Sequence, residues 1–173
     1  AVHRYRFPGV EVVPYLTRYY PEGALLAHVI GYVGRIDAAD RDRLEDSRYA
    51  GTSHVGKTGI ERHYEDLLLG KVGYERVETD VQGRALSTLS RVPPRQGRNL
   101  YLSIDLELQR VAATAFGTQP GAAVAIDPRN GEVLAMVSLP GFDPNLFVNG
   151  ISRANYAALL EAPHRPLFNR ALQ

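Results

Sequence analysis

The most constraining stretch of this sequence, residues 123–145, reads as two apolar strands joined by one tight turn. The apolar runs lie at 123–126 and 133–139. The residues between them are typical of turns and include Asp127, Pro128 and Gly131. Proline presets φ, aspartate bonds its own backbone and glycine accepts positive φ. The stretch therefore predicts a β-hairpin, and its apolar strands predict cover on both faces of the sheet.

Composition excludes several classes of protein. The 173 residues are 45% hydrophobic, which is ordinary for a chain with a packed core and unlike a disordered one. A net charge of +1 offers no argument for nucleic acid as a partner. The absence of cysteine removes disulfides and thiolate metal sites, and the five histidines show no ligand spacing. We therefore expect no metal and no cofactor.

The first half of the chain contains a predicted helix over residues 56–70. Thr58 and Glu61 have the spacing of a capping box at its start. Glu61, Glu65 and Asp66 are expected on a solvated helix face. Two strands are predicted next, over 74–81 and 85–89, and the first of them alternates like a half-buried strand.

Residues 91–99 are rich in proline, glycine and arginine and predict a linker. We place a domain boundary there, giving domains 1–97 and 98–173. A strand is predicted at 100–104, followed by a helix that Asp105 caps. The apolar face of that helix is expected to contain Leu108, Val111, Ala112 and Ala115, and Ser152 is expected to cap a later helix. The predicted fold class is α+β: a domain of helices and antiparallel strands, followed by an incomplete sheet with helices.

Several short motifs together resemble class B penicillin-binding proteins. The motifs in the first domain share turn glycines and charged residues at fixed spacing: Arg18, Tyr20, Pro21, Gly23, Gly56, Gly59, Glu61, Gly70, Gly73, Asp80, Gly83 and Arg84. The hairpin turn at Asp127, Pro128 and Gly131 resembles the first hairpin of the transpeptidase domain of that family. The residues around positions 59–66 and 73–77 look most like the elongation-specific members, usually called penicillin-binding protein 2. The resemblance implies a pedestal domain followed by the start of a transpeptidase domain.

The resemblance also implies a chemistry that these residues do not contain. Family members are peptidoglycan D,D-transpeptidases that use a serine nucleophile with a lysine three residues later. No serine here has that lysine, and the family places the motif beyond an Asn-Arg-Ala-x-Gln sequence like the one at 169–173. We therefore expect no catalytic residue before Gln173 and no activity from this chain alone. Lys57-Thr58-Gly59 spells an active-site motif of the family, but its place early in the chain favours a structural role.

Partners and location follow from the same resemblance. It implies the scaffold protein MreC and the glycosyltransferase RodA as partners, with stem peptides and β-lactams bound only by the parent protein. It implies a periplasmic chain whose parent is held in the bacterial inner membrane by an N-terminal helix outside these residues. Two alternatives remain open: a division-specific class B protein, and a competent transpeptidase with unrecognised motifs.

Overall fold

The computed structural model describes residues 16–44 and 46–173. Its helices are α1 (Ala27–Ile30), α2 (Ala38–Arg41), α3 (Asp46–Tyr49), α4 (Gly59–His63), α5 (Glu65–Leu68), α6 (Leu106–Ala115), α7 (Asn145–Val148) and α8 (Arg153–Glu161). Its strands are β1 (Val33–Arg35), β2 (His54–Gly56), β3 (Tyr74–Thr79), β4 (Ala85–Val92), β5 (Gly121–Ile126) and β6 (Val133–Leu139). A 3-10 turn at Gly23–Leu25 precedes α1. No helix among the described residues has the length and apolar character needed to cross a membrane.

The strands form antiparallel pairs, β1 with β2, β3 with β4 and β5 with β6. The α+β class and the hairpin over 121–139 are therefore confirmed, with Gly121 opposite Leu139 and Ala125 opposite Ala135. The prediction of cover on both faces is wrong for β5. Val124 and Ile126 are 47% and 56% exposed, because α6 packs against β6 and leaves the alternate residues of β5 uncovered.

The second hairpin, β3–β4, is also confirmed, but its predicted burial is wrong. Every residue of β3 and β4 is exposed. The alternating pattern arises on a two-stranded ribbon on which no described helix or strand packs extensively. Cross-strand side-chain pairs, such as Thr88 Oγ1 donating to Glu75 at 3.0 Å, stabilise a ribbon that no core covers.

The hydrophobic core joins early and late parts of the chain. Its buried centre is Ala27 of α1 with Phe142 and Phe147. Tyr32 stacks on Phe147 with ring centroids 4.3 Å apart, and Leu159 of α8 packs at the edge of the cluster. Helix α1 therefore packs against residues that follow the predicted linker. The division at 97/98 stays a prediction, and residues 1–15 of the first predicted domain lie outside the described residues.

Two further helix and strand predictions need correction. The predicted helix over 56–70 is two short helices, because Tyr64 (φ −106°, ψ 22°) breaks it between α4 and α5. Residues 100–104 form no strand; Ser103 Oγ donates to the carbonyl of Val133 and the Asp105 N–H donates to the carbonyl of Leu134. These bonds tie the segment to the start of β6 without forming a ladder.

The predicted caps of α6 and α8 are confirmed. The Asp105 carboxylate accepts from the N–H groups of Glu107 and Leu108, and Ser152 Oγ accepts from the N–H of Asn155. The predicted buried face of α6 is wrong, since Val111 is 66% exposed while Gln109 is fully buried. A search for periodic apolar residues does not find the buried face of α6, because the residue at its centre, Gln109, is polar.

Candidate functional site

Tyr20 and Asn145 meet across the chain and define what we call the junction. The Asn145 carboxamide makes two hydrogen bonds to the Tyr20 backbone. Its Oδ1 accepts from the Tyr20 N–H at 2.9 Å, and its Nδ2 donates to the Tyr20 carbonyl at 3.0 Å. Asp143 holds the amide in this orientation, because Nδ2 also donates to its carboxylate at 2.8 Å. A motif near the start of the chain is thus bonded to the first residue of α7.

The Tyr20 side chain connects the junction to Val33 and Glu61 in the first half of the chain. Its buried hydroxyl accepts from the Val33 N–H at 2.8 Å and donates to Glu61 Oε1 at 3.1 Å. The Arg18 guanidinium meets the same carboxylate with its fork, Nε at 2.7 Å from Oε1 and Nη2 at 3.1 Å from Oε2. Burial, together with the nearby Glu61 carboxylate, raises the pKa of Tyr20, so the hydroxyl stays protonated and remains a donor.

Glu61 corrects two predictions made from the sequence. Thr58 makes no side-chain cap at the start of α4, so the capping box is absent. Glu61 itself is 4% exposed and binds Arg18 and Tyr20, which lie more than forty residues earlier in the sequence and outside any local pattern. A buried carboxylate is tolerated only with such partners.

The other two acids of the predicted solvated face differ from each other. Glu65 is partly buried and accepts from the Gly56 N–H at 2.6 Å. Burial raises the pKa of Glu65, and the bond from Gly56 opposes that rise in part. Asp66 is exposed, as expected, and forms an ion pair with Arg48 at 2.8 Å. The solvated-face prediction therefore holds for Asp66 and is wrong for Glu61 and Glu65.

Glycines permit the backbone crossing that brings Glu61 to the junction. At Gly31 (φ +76°) an added Cβ would lie 2.0 Å from the Thr58 carbonyl oxygen. At Gly59 (φ +59°) it would lie 2.6 Å from the Gly31 nitrogen. At Gly56 it would lie 2.2 Å from the Glu61 carbonyl oxygen. The end of α1 and the start of α4 thus touch backbone to backbone, which no larger residue allows.

Lys57 lies in an ion-pair cluster. Its Nζ donates to Asp37 Oδ2 at 2.9 Å and to the Asp40 carboxylate, which also accepts from Arg43 at 2.6 Å. Burial alone would lower the pKa of Lys57, but its bonds to Asp40 and Asp37 outweigh burial and raise it. A lysine held protonated between two carboxylates cannot take a proton from a nucleophile, so the geometry favours the structural interpretation of Lys57-Thr58-Gly59.

A second amide joins the two halves of the chain beside the junction. Gln109 of α6 exchanges two hydrogen bonds with Met136 of β6, each at 2.8 Å, and its Nε2 also donates to the Leu25 carbonyl at 3.1 Å. Next to it, Arg110 forms an ion pair with Glu22 at 2.7 Å. The 3-10 turn after Pro21 is therefore bonded directly to α6.

The remaining motif residues shape turns away from the junction. Gly70 and Gly73 let residues 70–73 lie against 92–97, where a Cβ on either would approach backbone atoms to 2.5 Å. The Asp80 carboxylate accepts from Arg84 Nε at 2.7 Å and from two backbone N–H groups, closing the β3–β4 turn around Gly83. Asp127 does the same in the β5–β6 turn, where its carboxylate binds Arg129. None of these motif residues is hydrogen-bonded to Tyr20 or Asn145 in the contacts described above.

The described residues contain no cluster of three or more His, Cys, Asp or Glu side chains able to hold a metal ion. A cleft of ≈ 590 Å³ opens beside the junction, between the Tyr19–Leu26 region and residues 96–102. Glu61 lines this cleft but is already bound by Arg18 and Tyr20. The arrangement holds segments of the chain together and presents no paired acid and base.

Family models match the two segments that the junction connects. The penicillin-binding protein dimerisation domain matches residues 1–102, and the penicillin-binding protein transpeptidase domain matches residues 121–173. The chain belongs to the penicillin-binding proteins. Of the junction pair, Tyr20 lies in the dimerisation-domain match and Asn145 in the transpeptidase match.

Curated relatives within the penicillin-binding proteins resemble the whole chain. The peptidoglycan D,D-transpeptidase MrdA of Escherichia coli K12 is 52% identical over 100% of this chain and 28% of its own length. MrdA of Acinetobacter baumannii is 51% identical over 98% of this chain and 25% of its own length. The chain thus spans about a quarter of the length of these relatives.

Solved penicillin-binding protein structures share the fold. PBP2 of Pseudomonas aeruginosa, crystallised with WCK 5153, superposes with a TM-score of 0.78 at 47% identity, over 89% of this chain and 30% of that one. PBP2 of Helicobacter pylori in complex with MreC superposes with a TM-score of 0.78 at 41% identity, over 89% of this chain and 28% of that one. The mixed arrangement of helices and small antiparallel pairs is therefore the one found in PBP2 structures.

Proposed function

We propose that these residues are the supporting part of an elongation-type class B penicillin-binding protein, whose full-length form is a peptidoglycan D,D-transpeptidase. The observation that carries this proposal is the bidentate bonding of Tyr20 by Asn145. It fastens the dimerisation-type segment to the start of α7, which follows the first hairpin of the transpeptidase segment. The domain assignment, 1–97 as pedestal and 98–173 as the start of the transpeptidase domain, is part of the same proposal.

The role of this part is to position the catalytic domain. No serine in the sequence has a lysine three residues later, so the nucleophile of the acyl-transfer reaction lies elsewhere in the full-length protein. The stem peptide and β-lactams bind there. Buried Glu61, buried Gln109 and half-buried Asn145 supply the rigidity that a positioned site needs, because each is hydrogen-bonded to a distant segment of the chain.

The partners and location belong to the same proposal. A solved relative, PBP2 of Helicobacter pylori, forms a complex with MreC, which supports an MreC-type scaffold as a partner here. RodA follows from the family resemblance, as does a periplasmic location with an inner-membrane anchor. The division-specific alternative predicts different partners, so pull-down against elongation and division proteins separates the two.

The test is covalent labelling with a fluorescent penicillin. We expect labelling of the full-length protein and none of the 173-residue chain. The Lys57→Ala variant of the full-length protein should be labelled as fast as the unaltered protein, since Lys57 belongs to an ion-pair cluster. Labelling of the 173-residue chain would overturn the supporting role, and loss of labelling in the Lys57 variant with its fold intact would favour the competent-enzyme alternative.

A further inference from the structure

Two consecutive residues after α8 hold left-handed backbone conformations, His164 (φ 65°) and Arg165 (φ 43°). Neither is glycine, and a Cβ makes this conformation unfavourable. Strained residues of this kind persist only where the surrounding structure holds them, and they concentrate at functional positions. The turn at 164–165 therefore needs a specific restraint.

Arg170 supplies that restraint. Its guanidinium donates to the carbonyl of His164, and also to those of Arg165 at 3.4 Å and Phe168 at 3.3 Å. The same group lies over the Phe168 ring, 5.6 Å from its centroid. Among the described residues no carboxylate pairs with Arg170, so its donors serve backbone carbonyls. The rigid fork of arginine suits this use, since several donors point in fixed directions.

The segment that Arg170 closes is also bonded to the body of the protein. Buried Ser138 of β6 accepts from the Arg170 N–H at 3.0 Å and donates to the Phe168 carbonyl at 3.4 Å. Asn169 Nδ2 donates to the carbonyl of His28 on α1 at 3.3 Å. Residues 168–170 are thus bonded to β6 and to α1, and the Arg170 guanidinium connects the exposed turn at 164–165 to this anchored segment.

We propose that Arg170 is a positioning residue for the serine nucleophile. Its guanidinium holds the strained turn closed and so fixes the path of residues 169–173, beyond which the family resemblance places the serine. The inference rests on that proposed function. The proposal predicts that the planar guanidinium of Arg170 is essential for this positioning. It also predicts that relieving the backbone strain at His164 and Arg165 compensates in part for loss of the guanidinium.

The first test uses the 173-residue chain and hydrogen exchange. Arg170→Ala should speed exchange of the hydrogen-bonded amides of residues 170, 171 and 173 by roughly tenfold or more, with β5–β6 unaffected. Adding His164→Gly and Arg165→Gly should restore part of the protection, because glycine accepts positive φ. Unchanged protection in Arg170→Ala, or no recovery in the triple variant, would overturn the proposal.

The second test measures the rate constant of penicillin acylation in the full-length protein. Arg170→Ala should lower it roughly tenfold or more, since misplacement of a reacting group by about 1 Å has effects of that size. Arg170→Lys, which keeps the charge without the fork, should resemble the alanine variant. The matched control is Arg153→Ala, on the exposed start of α8.

The outcomes separate the two proposals. If the unaltered full-length protein is not labelled, the proposed function fails, and hydrogen exchange still decides whether Arg170 restrains the turn. If the unaltered protein is labelled and Arg170→Ala is labelled equally fast, the positioning role fails. Recovery of the rate in the triple variant distinguishes restraint of the turn from a general loss of stability.

Discussion

Asn145 binds both backbone groups of Tyr20, its oxygen accepting at 2.9 Å and its nitrogen donating at 3.0 Å. One side chain therefore replaces the two hydrogen bonds that a neighbouring strand would make. Tyr20 lies in an irregular segment before the 3-10 turn and has no strand partner of its own. The amide lets Tyr20 be buried within this otherwise exposed segment, because buried backbone groups need partners.

Asn145→Ala should therefore lower the free energy of unfolding by about 1–3 kcal/mol, since it removes the partner of the Tyr20 N–H and leaves the Tyr20 carbonyl only its 3.2 Å bond from the Gly23 N–H. Urea denaturation followed by tyrosine fluorescence measures this. The matched control is Asn149→Ala, four residues later and exposed, which should change stability by less than about 0.5 kcal/mol. Equal effects of the two substitutions would contradict the role of Asn145.

Glu61→Ala should cost about 3 kcal/mol, because it removes the acceptor of buried Tyr20 and of the Arg18 fork. Glu61→Gln keeps one acceptor for Tyr20 and should cost less. Glu161→Ala, at the exposed end of α8, is the control. Denaturation midpoints in which Glu61→Gln is as damaging as Glu61→Ala would show that the charge, rather than the tyrosine contact, dominates.

Gly31 and Gly83 share a positive φ of +76° and +78° but differ in what surrounds them. Gly83→Ala meets nothing within 4 Å and should cost only the backbone term, about 1 kcal/mol. Gly31→Ala would place its Cβ 2.0 Å from the Thr58 carbonyl oxygen and should cost about 4 kcal/mol or more. Thermal denaturation compares them, and similar melting temperatures would rule out the tight crossing of α1 and α4.

Asp40 should govern part of the acid sensitivity of the chain. Burial alone would raise the pKa of Asp40, but hydrogen bonds from Lys57 and Arg43 outweigh burial and hold it well below its usual range. A carboxyl with a depressed folded pKa stabilises the fold above its unfolded pKa of about 3.9, and that contribution is lost as the pH falls toward the folded value. Asp40→Asn should thus flatten the fall of unfolding free energy between about pH 5 and pH 2. The exposed Asp42→Asn variant is the control, and parallel curves for Asp40→Asn and the unaltered chain would refute this.

Local chemistry in the sequence was enough to predict the elements whose determinants are neighbours. The hairpin turn at Asp127, the cap at Asp105 and the cap at Ser152 each depend on residues within a few positions. The fold class and the family could be predicted from the order of such features along the chain. These predictions succeeded because turn and cap geometry is set by the residues that make it.

The junction could not be predicted in this way. Glu61 looked like a solvated helix residue because its partners Arg18 and Tyr20 are far away in sequence. Gln109 looked polar and therefore outward-facing, although its amide is satisfied by backbone groups of two other segments. Burial of a polar side chain depends on distant partners, and single-sequence periodicity carries no information about them.

The anchoring of α1 by late residues affects how this protein can be divided. Cutting the chain within the proline-rich stretch at 91–99 would remove Phe142 and Phe147 from Ala27 and Tyr32. The apolar surface that these residues bury would then be exposed to solvent. The N-terminal fragment produced by such a cut would therefore tend to aggregate through its exposed apolar surface. A recombinant form of residues 1–97 meant to fold by itself would need a substitute for those two phenylalanines.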